Sequence, residues 1–486
     1  MAIGVVSKAV SLRAYPNCQN RPTGNNLIIG DLHGNALKLL FFLLHEGICS
    51  LSANDYELFV QLYHKPCSNL TADDLQKFNA VINQMTVMKH DTLIRILGDE
   101  LADRGSNDYF TLKIIDALHH QKVPVEIVLS NHSLGFVEAY ELRQVFEYTK
   151  LGKEQAKSMY NLQYLIEKNL ISKQDIENTI NNSYKKLIKP LSYSLSLTDN
   201  SITIYSHAAI DIQVIKFLAQ KLQVSFADNN PAELAKTIDI INKKFSNLAN
   251  HNAVSTLYNR ETIGRDVYQP PSPDNPIEML TWNRGYQSIN RQPQYKSYTV
   301  NYVHGHDIKG PSKDNIYNLD NTLGRGDDAN NCHGMYHVIY SNEALTLKEA
   351  QKSLFNQQLD ALAQEIQALK ACKQLKACHA AQKLHDNLKK LADIYFSDNA
   401  SIQSYREFKQ YCYYQIGLSR KELEAQYGIK KIINDILSII IDFSIYYLKL
   451  DLSNIRHLFF TNNSEHILKH LNLEHENFEP TLEVAP

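Results

Sequence analysis

The strongest constraint on the fold is an alternation of short apolar runs with polar loops between about residues 25 and 340. Most runs are about five residues long, which is typical of a buried or half-buried strand, and each ends just before a polar cluster. Helical patterns, such as 36–46 and 109–119, lie between them. Strands that alternate with helices predict an α/β layered fold whose functional loops follow the carboxyl ends of the strands. The runs are 27–29, 93–97, 125–129, 201–205 and 298–303.

One polar motif follows each of these runs. Taken singly the motifs are weak, because Asp-Gly turns and a histidine after a strand are common structural features. Taken together they predict Asp, His, Asp, Asn, His and His side chains at the same edge of one sheet. Carboxylate, imidazole and amide ligands suit hard-to-borderline divalent ions, and the lack of cysteine in the motifs disfavours a structural zinc site. The motifs are Gly30-Asp31-Leu32-His33-Gly34-Asn35, Gly98-Asp99-Glu100-Leu101-Ala102-Asp103-Arg104-Gly105, Ser130-Asn131-His132-Ser133, Ser206-His207-Ala208-Ala209 and His304-Gly305-His306-Asp307.

Composition excludes several other classes of protein. Lys plus Arg is 50 and Asp plus Glu is 52, so the net charge of −2 offers no basic excess for nucleic acid binding. The first residues lack the long apolar centre of a secretory signal, which favours a protein that folds in the cytoplasm. Lys430, Lys431, Asp435 and Asp442 interrupt the most apolar stretch, 429–450, which we therefore interpret as a buried helix and not a transmembrane segment. The seven scattered cysteines form no CxxC pair and predict reduced thiols.

These patterns divide the chain into three parts. Residues 1–24 form an N-terminal extension, residues 25–342 a catalytic domain with insertions at about 51–90 and 137–190, and residues 343–486 an all-α C-terminal region with a Glu-rich tail. The stretch 343–416 contains no glycine or proline, and its apolar residues follow a 4-3 spacing. This spacing fits ordinary helix packing, and it also fits a helical hairpin that contacts a partner protein. The spaced residues are Phe355, Leu359, Leu362, Ile366, Leu369, Leu384, Leu388, Leu391 and Tyr395.

The five motifs resemble those of the PPP-type metallophosphatases within the calcineurin-like metallophosphoesterase superfamily. The family pattern reads GDxHG, GDxxDRG, GNH[DE], a mid-chain His and a late His. The resemblance implies a β-sandwich flanked by helices, and two divalent metal ions bridged by Asp99. Manganese is the expected metal, with iron or zinc as alternatives. The implied ligands are Asp31, His33 and Asp99 for the first ion, and Asp99, Asn131, His207 and His306 for the second.

The same resemblance implies the remaining roles. A hydroxide held between the two ions would attack phosphorus in line, while the metals and an arginine absorb the charge on the equatorial oxygens. His132 would protonate the leaving oxygen and Asp103 would orient it. Arg104 would clamp the phosphate, and Arg284 is our choice for a second arginine. Phosphodiesterase-type relatives carry a further histidine where this chain has Ile308, which favours a phosphomonoesterase.

Two departures from the family pattern suggest a particular branch. Three residues, instead of two, separate Asp99 from Asp103, and Ser130 and Ser133 replace the usual Gly and acidic residue. The longer spacing and the helical C-terminal region resemble the Wip-type effector protein phosphatases of Legionella. An acidic tail resembles a type IV secretion signal, so the resemblance implies translocation into the host cell cytoplasm. The tail glutamates are Glu465, Glu474, Glu476, Glu479 and Glu483.

The sequence therefore predicts a metal-dependent protein phosphatase that acts on phosphorylated host proteins, with a preference for phosphotyrosine over phosphoserine or phosphothreonine. The C-terminal helices are candidates for a contact with a host protein, and no nucleic acid partner is expected. A nucleotide or dinucleoside-polyphosphate hydrolase on the same scaffold is an alternative. A catalytically dead binding module is another, because the second and third motifs are altered.

Overall fold

A computed structural model of the chain describes residues 4–18, 26–142, 146, 152–196, 199–261, 263–326, 332–341, 347–396, 402–423 and 426–448. The chain divides into two compact units, Met1–Ala350 and Gln351–Pro486. Each unit has its own apolar core. The glutamates of the tail, from Glu465 onward, lie outside the described residues.

Short strands supply the framework of the first unit, and the five runs predicted as strands all lie in strands. The longest, at the end of the unit, has nine residues. The strands are β1 Val5–Ser11, β2 Asn26–Ile29, β3 Cys49–Ser50, β4 Thr86–Val87, β5 Ile94–Ile96, β6 Val125–Val128, β7 Ile188–Lys189, β8 Ser192–Ser196, β9 Ser201–Tyr205, β10 Gln294–Tyr295, β11 Tyr298–His304, β12 Ile316–Asn318 and β13 His333–Ser341.

The described strands form a larger sheet in the order β1-β13-β2-β5-β6-β7 and a second sheet in the order β10-β11-β9-β8, with β12 paired to β11. Strands β2, β5 and β6 are parallel, as are β9 and β11, so the carboxyl ends point the same way within each sheet. The prediction that all five motifs share the edge of one sheet is therefore wrong. Three motifs follow strands of the larger sheet and two follow strands of the second sheet.

Helices fill the intervals between these strands, which confirms the mixed α/β character of the unit. Helix α1 begins after Asn35, whose side chain caps it by accepting from the backbone N–H of Lys38. The helices are α1 Ala36–His45, α2 Ala53–His64, α3 Ala72–Gln84, α4 Asp108–His120, α5 Asn131–Glu141, α6 Lys157–Glu167, α7 Lys173–Thr179, α8 Lys185–Leu187, α9 Ile212–Lys221, α10 Pro231–Asn250 and α11 Pro276–Trp282.

The N-terminal segment and the insertions are parts of this unit. Strand β1, within the segment assigned to an N-terminal extension, pairs antiparallel with β13 at the edge of the larger sheet. Its residues are mostly exposed, and its apolar pattern is correspondingly weak. Helices α2 and α3 of the first insertion pack by Phe59 and Phe78 against Phe110 of α4. The first insertion therefore belongs to the apolar core of the unit.

Residues of both sheets pack together and are also joined by a buried arginine. Arg95 on β5 donates from Nε to Ser192 Oγ at 2.8 Å and from NH2 to the Tyr193 carbonyl at 3.0 Å, both on β8. It also pairs with Glu126 on β6 and lies 4.0 Å from the ring centroid of Tyr205 on β9. The apolar residues of this layer are Ile28, Leu97, Val128, Tyr205, Val303, Leu319 and Ile339.

The second unit is helical in its described part. Its helices are α12 Leu347–Ala371, which begins in the first unit, α13 Leu375–Tyr395, α14 Ile402–Leu423 and α15 Tyr427–Leu448. The residues with 4-3 spacing, from Phe355 to Leu369, are buried in one cluster with Leu384, Leu388 and Tyr395. This spacing therefore reflects helix packing within the unit. Ile429, Ile432, Ile436 and Ile440 of α15 join the same cluster, and among the described helices we find none that is long and apolar enough to span a membrane.

Candidate active site

The loops at the strand ends place several predicted ligands in an unusual backbone conformation. His33, Asp99 and His306 have φ values of 59°, 51° and 68°, in a left-handed region that is uncommon for residues other than glycine. Such residues concentrate at functional sites, where the surrounding structure holds them in place. The three side chains line one pocket of about 270 Å³.

Asp31 lies at the centre of this pocket wall and is almost completely buried. Its Oδ2 accepts from the backbone N–H of His306 at 2.8 Å, which joins the first motif to the last. Its Oδ1 has no hydrogen-bond partner among the described residues. A Cβ on Gly305 would lie 1.8 Å from that oxygen, so only glycine fits here. Burial raises the pKa of Asp31 well above its usual value, and the neighbouring carboxylates of Asp320 and Asp99 raise it further.

His207 faces a group of potential metal ligands. Its Nδ1 is 2.8 Å from the Leu97 carbonyl, which assigns the proton of the neutral ring to Nδ1. Its Nε2 then faces Asn131 Oδ1 at 2.8 Å, His306 Nδ1 at 3.2 Å and Asp99 Oδ1 at 3.4 Å. Burial lowers the pKa of both His207 and His306, which favours the neutral form that binds metals.

His33 lies between several oxygen atoms. Its Nδ1 is 3.3 Å from Asp103 Oδ2, and its Nε2 is 2.9 Å from the Asn321 carbonyl and 3.4 Å from Asp320 Oδ1. Burial acts against the cation, but the adjacent carboxylates of Asp103 and Asp320 raise the pKa of His33 to about 9. His33 is therefore surrounded by groups that favour a positive charge at this position.

Asp103 is fully buried and contacts three basic groups. Its Oδ2 contacts His33, while its Oδ1 accepts from Arg104 NH1 at 2.7 Å and lies 3.6 Å from His132 Nε2. Burial alone would raise the pKa of Asp103, but His132, His33 and Arg104 hold it well below its usual value. The other ring nitrogen of His132, Nδ1, is 2.6 Å from the Ala102 carbonyl. Asp103 and Ala102 together fix the orientation of the His132 ring.

Three arginines line the pocket. Arg104 and Arg284 are half-buried, and Arg325 is exposed. Arg284 Nε is 2.8 Å from Asp266 Oδ1, and its NH1 is 3.3 Å from Asp307 Oδ1. These guanidinium groups offer planar donors for an anion beside the cluster of carboxylates and histidines.

The structure brings the ten predicted site residues together, eight of them as part of the pocket wall. Asp103 and His207 lie behind this wall and contact its residues. The pocket wall also contains residues that the sequence analysis did not select, namely Gln155, Gly264, Asp266, Trp282, Asp320 and Arg325. Asp320 follows strand β12 just as the recognised motifs follow their strands. Its position after a strand is the sequence feature that could have identified it.

The donor set fits divalent metal ions. Three groups of described side chains bring their ligand atoms within 4.8 Å of one another, namely Asp31-His33-Asp320, Asp31-Asp99-His207 and His33-Asp99-Asp103. Within these groups the buried atoms Asp31 Oδ1, Asp99 Oδ1 and Asp320 Oδ1 have no hydrogen-bond partner among the described residues. Buried carboxylate oxygens without a donor are costly unless a cation neutralises them. The site therefore has the chemistry of a divalent-cation site.

Comparison with known proteins agrees with this site. The model of the family described as WipA-like, phosphatase domain, matches residues 93–325. The crystal structure of the phosphatase domain from the Legionella effector WipB is 33% identical in sequence with a TM-score of 0.54, and the match covers 59% of this chain and 100% of that chain. None of the curated proteins matches this chain.

The fold and the site, together with these similarities, define a phosphatase. Within that class, the chain belongs to the WipA-like phosphatase family. The resemblance to Wip-type phosphatases that the motifs indicated is thereby confirmed.

Proposed function

We propose that this phosphatase is a PPP-type metalloenzyme of the calcineurin-like superfamily that hydrolyses phosphomonoesters on proteins. The observation that carries the proposal is the pocket in which unpaired carboxylate oxygens and histidines lie next to arginines. Ile308 at the position of the additional phosphodiesterase histidine supports a monoester substrate. Two mixed sheets with a shared apolar layer support the calcineurin-like β-sandwich.

The proposed metal ligands divide into two groups. Asp31, His33 and Asp99 would hold the first ion, and Asp99, Asn131, His207 and His306 the second. A pair of divalent ions, with manganese as the expected metal, would activate the attacking water and neutralise charge on the phosphoryl oxygens. Asp99 is the residue common to both groups, and the hydrogen bond from its backbone N–H to Ser130 Oγ at 2.9 Å holds it in position.

The remaining polar residues would bind the phosphate and move a proton. Arg104 and Arg284 would bind phosphoryl oxygens from the pocket opening. Asp103 would hold Arg104 by its Oδ1 and orient the ring of His132. Because Nδ1 of His132 faces the Ala102 carbonyl, the proton on Nε2 is the one available for transfer to the leaving oxygen.

We further propose that the substrate is a phosphotyrosine-containing protein of a host cell. Trp282, the only tryptophan of the chain, lines the pocket beside Arg284 and offers an aromatic surface near the phosphate-binding groups. WipB is described as a Legionella effector, which supports a target outside the bacterium. A membrane-translocation reporter fused to the chain would test delivery into host cells, and its retention in the bacterium would contradict this part of the proposal.

A phosphopeptide panel tests the enzymatic part of the proposal. Phosphotyrosine, phosphoserine and phosphothreonine peptides are incubated with the full chain and manganese, and in parallel with chelator. We expect release of phosphate that the chelator abolishes, with the highest kcat/KM on phosphotyrosine. The variant Asp99→Asn should lose turnover and bind less metal, whereas Asp274→Asn, an exposed aspartate outside the site, should retain both. If hydrolysis is undiminished in the presence of chelator, or in the variant Asp99→Asn, the metal-dependent mechanism is refuted.

A further inference from the structure

Asp320 is a buried carboxylate to which the family pattern gives no role. It follows strand β12, and its backbone N–H donates to Asn318 Oδ1 at 3.1 Å, which fixes the turn. The side chain is 4% exposed and lines the pocket. It therefore reaches the site from a strand end that carries none of the five motifs.

The surroundings of Asp320 leave one of its oxygens available. Oδ1 lies 3.4 Å from His33 Nε2, but the geometry is not that of a hydrogen bond, and this oxygen has no hydrogen-bond partner among the described residues. Asp31 Oδ1 is available in the same way. Ligand atoms of Asp31, His33 and Asp320 lie within 4.8 Å of one another. Two buried carboxylates at this separation repel each other unless a cation stands between them.

The buried Lys38 does not satisfy these oxygens. Its Nζ donates to the backbone carbonyl of Asp31 at 2.6 Å, so its position is fixed by the main chain. Lys38 lowers the electrostatic cost of the acidic cluster while leaving Asp31 Oδ1 and Asp320 Oδ1 without a donor. Lys38 therefore leaves both oxygens free to act as ligands.

We infer that Asp320 is a further oxygen ligand of the first metal ion, beside Asp31, His33 and Asp99. This inference rests on the proposed function. It gives the first site three carboxylates and one imidazole, an oxygen-rich set that suits manganese better than the softer zinc. Asp320 would thereby supply, from a different strand end, the additional ligand that Ile308 cannot supply.

Manganese binding tests the inference without relying on activity. Free Mn²⁺ is followed by electron paramagnetic resonance while the full chain is titrated, for the wild type and for the variants Asp320→Asn, His33→Ala and His207→Ala. Loss of a ligand should weaken the affected site by at least the roughly 10–100-fold that outer-shell changes cause. Asp320→Asn should therefore weaken the same Mn²⁺ site as His33→Ala, whereas His207→Ala should weaken the other site. Double variants distinguish the two sites. Specifically, adding Asp320→Asn to His33→Ala should weaken binding less than adding it to His207→Ala.

Two controls make the result interpretable. Asp266→Asn removes a carboxylate that lines the same pocket but pairs with Arg284, and it should change Mn²⁺ affinity little. Should Asp320→Asn alone fail to fold, as judged by a melting curve, Lys38→Met/Asp320→Asn removes the buried charges together. Unchanged Mn²⁺ affinity in either folded variant would overturn the ligand role. A wild type that binds fewer than two Mn²⁺ ions would instead refute the proposed function.

Discussion

Glu126 provides a quantitative test of how the two sheets are held together. Its Oε2 accepts from Arg95 Nε at 3.1 Å and from Arg95 NH2 at 3.0 Å, and Lys189 and Ser192 donate to the same carboxylate. Burial alone would raise the pKa of Glu126, but Arg95 and Lys189 lower it to about 2, from an ordinary 4.5. The ionised carboxylate therefore stabilises the folded first unit.

The magnitude and sign follow from this pKa. A depression from 4.5 to about 2 corresponds to about 3 kcal/mol of stability. This stability is fully present above pH 4.5 and is lost as the pH falls towards 2. Glutamine at position 126 cannot ionise, so Glu126→Gln should be less stable by about 3 kcal/mol at pH 6, and by only about 1 kcal/mol at pH 3.

The assay can report on the first unit alone, because Trp282 is the only tryptophan of the chain and is buried there. Urea unfolding of the full chain is followed by Trp282 fluorescence between pH 7 and pH 3, in the presence of chelator so that metal binding does not contribute. Glu261→Gln, an exposed glutamate in the same unit, serves as the control and should have little effect at any pH. A stability difference between wild type and Glu126→Gln that does not shrink with acid would refute the reasoning.

Three further predictions concern the site and the second unit. His132→Ala should slow the hydrolysis of alkyl phosphates on the order of 10²–10⁴-fold more than that of p-nitrophenyl phosphate, whose leaving group needs little protonation. Equal losses of rate on both substrates would contradict the general acid role. Gly305→Ala would place a methyl group 1.8 Å from Asp31 Oδ1, and the required shift should cost on the order of 10² in kcat, whereas Gly152→Ala, with nothing within 4 Å, should be neutral. A protein that ends at Ala350 should still hydrolyse small phosphate esters but should act more slowly on protein substrates. If its melting transition is intact and both rates equal those of the wild type, the second unit has no recognition role.

The sequence predicted the local elements of the first unit well. Each apolar run became a strand because a run of this length, flanked by turn residues, has few other ways to bury its side chains. Ser201–Tyr205, for example, is the predicted strand residue for residue. The 4-3 spacing from Phe355 to Leu369 was similarly informative, since it encodes a buried helix face.

Long-range relations were the part that the sequence could not supply. The distribution of the motifs over two sheets depends on which strands pair, and the pairing of β1 with β13 joins residues more than 300 positions apart. Asp320 was not selected because none of the five predicted runs precedes it, and its proximity to His33, 287 positions earlier, arises only in the fold. Single motifs identify candidate ligands, but only the folded structure shows which carboxylate oxygens without a hydrogen-bond partner lie close together.

The two departures from the PPP pattern are explained by contacts that join them. The longer second motif is accommodated by a positive φ of 55° at Ala102, whose backbone N–H is accepted by the Asp108 carboxylate. The carbonyl of Ala102 then faces His132 Nδ1, so the lengthened turn itself orients the residue after Asn131. In the third motif, Ser130 accepts the backbone N–H of Asp99 while it caps helix α5 together with Ser133.

Ser158 of the second insertion forms hydrogen bonds with both the backbone N–H and the backbone carbonyl of Asp103. Its Oγ accepts from the Asp103 N–H at 3.0 Å, and its backbone N–H donates to the Asp103 carbonyl at 2.9 Å. The insertion thus holds in place the segment that the additional residue lengthens. Because the serine substitutions, the lengthened turn and the insertion support one another by direct hydrogen bonds, we expect them to have the same role. Together they keep Asp99, Asp103 and His132 in an arrangement suited to catalysis, which argues against a catalytically dead module.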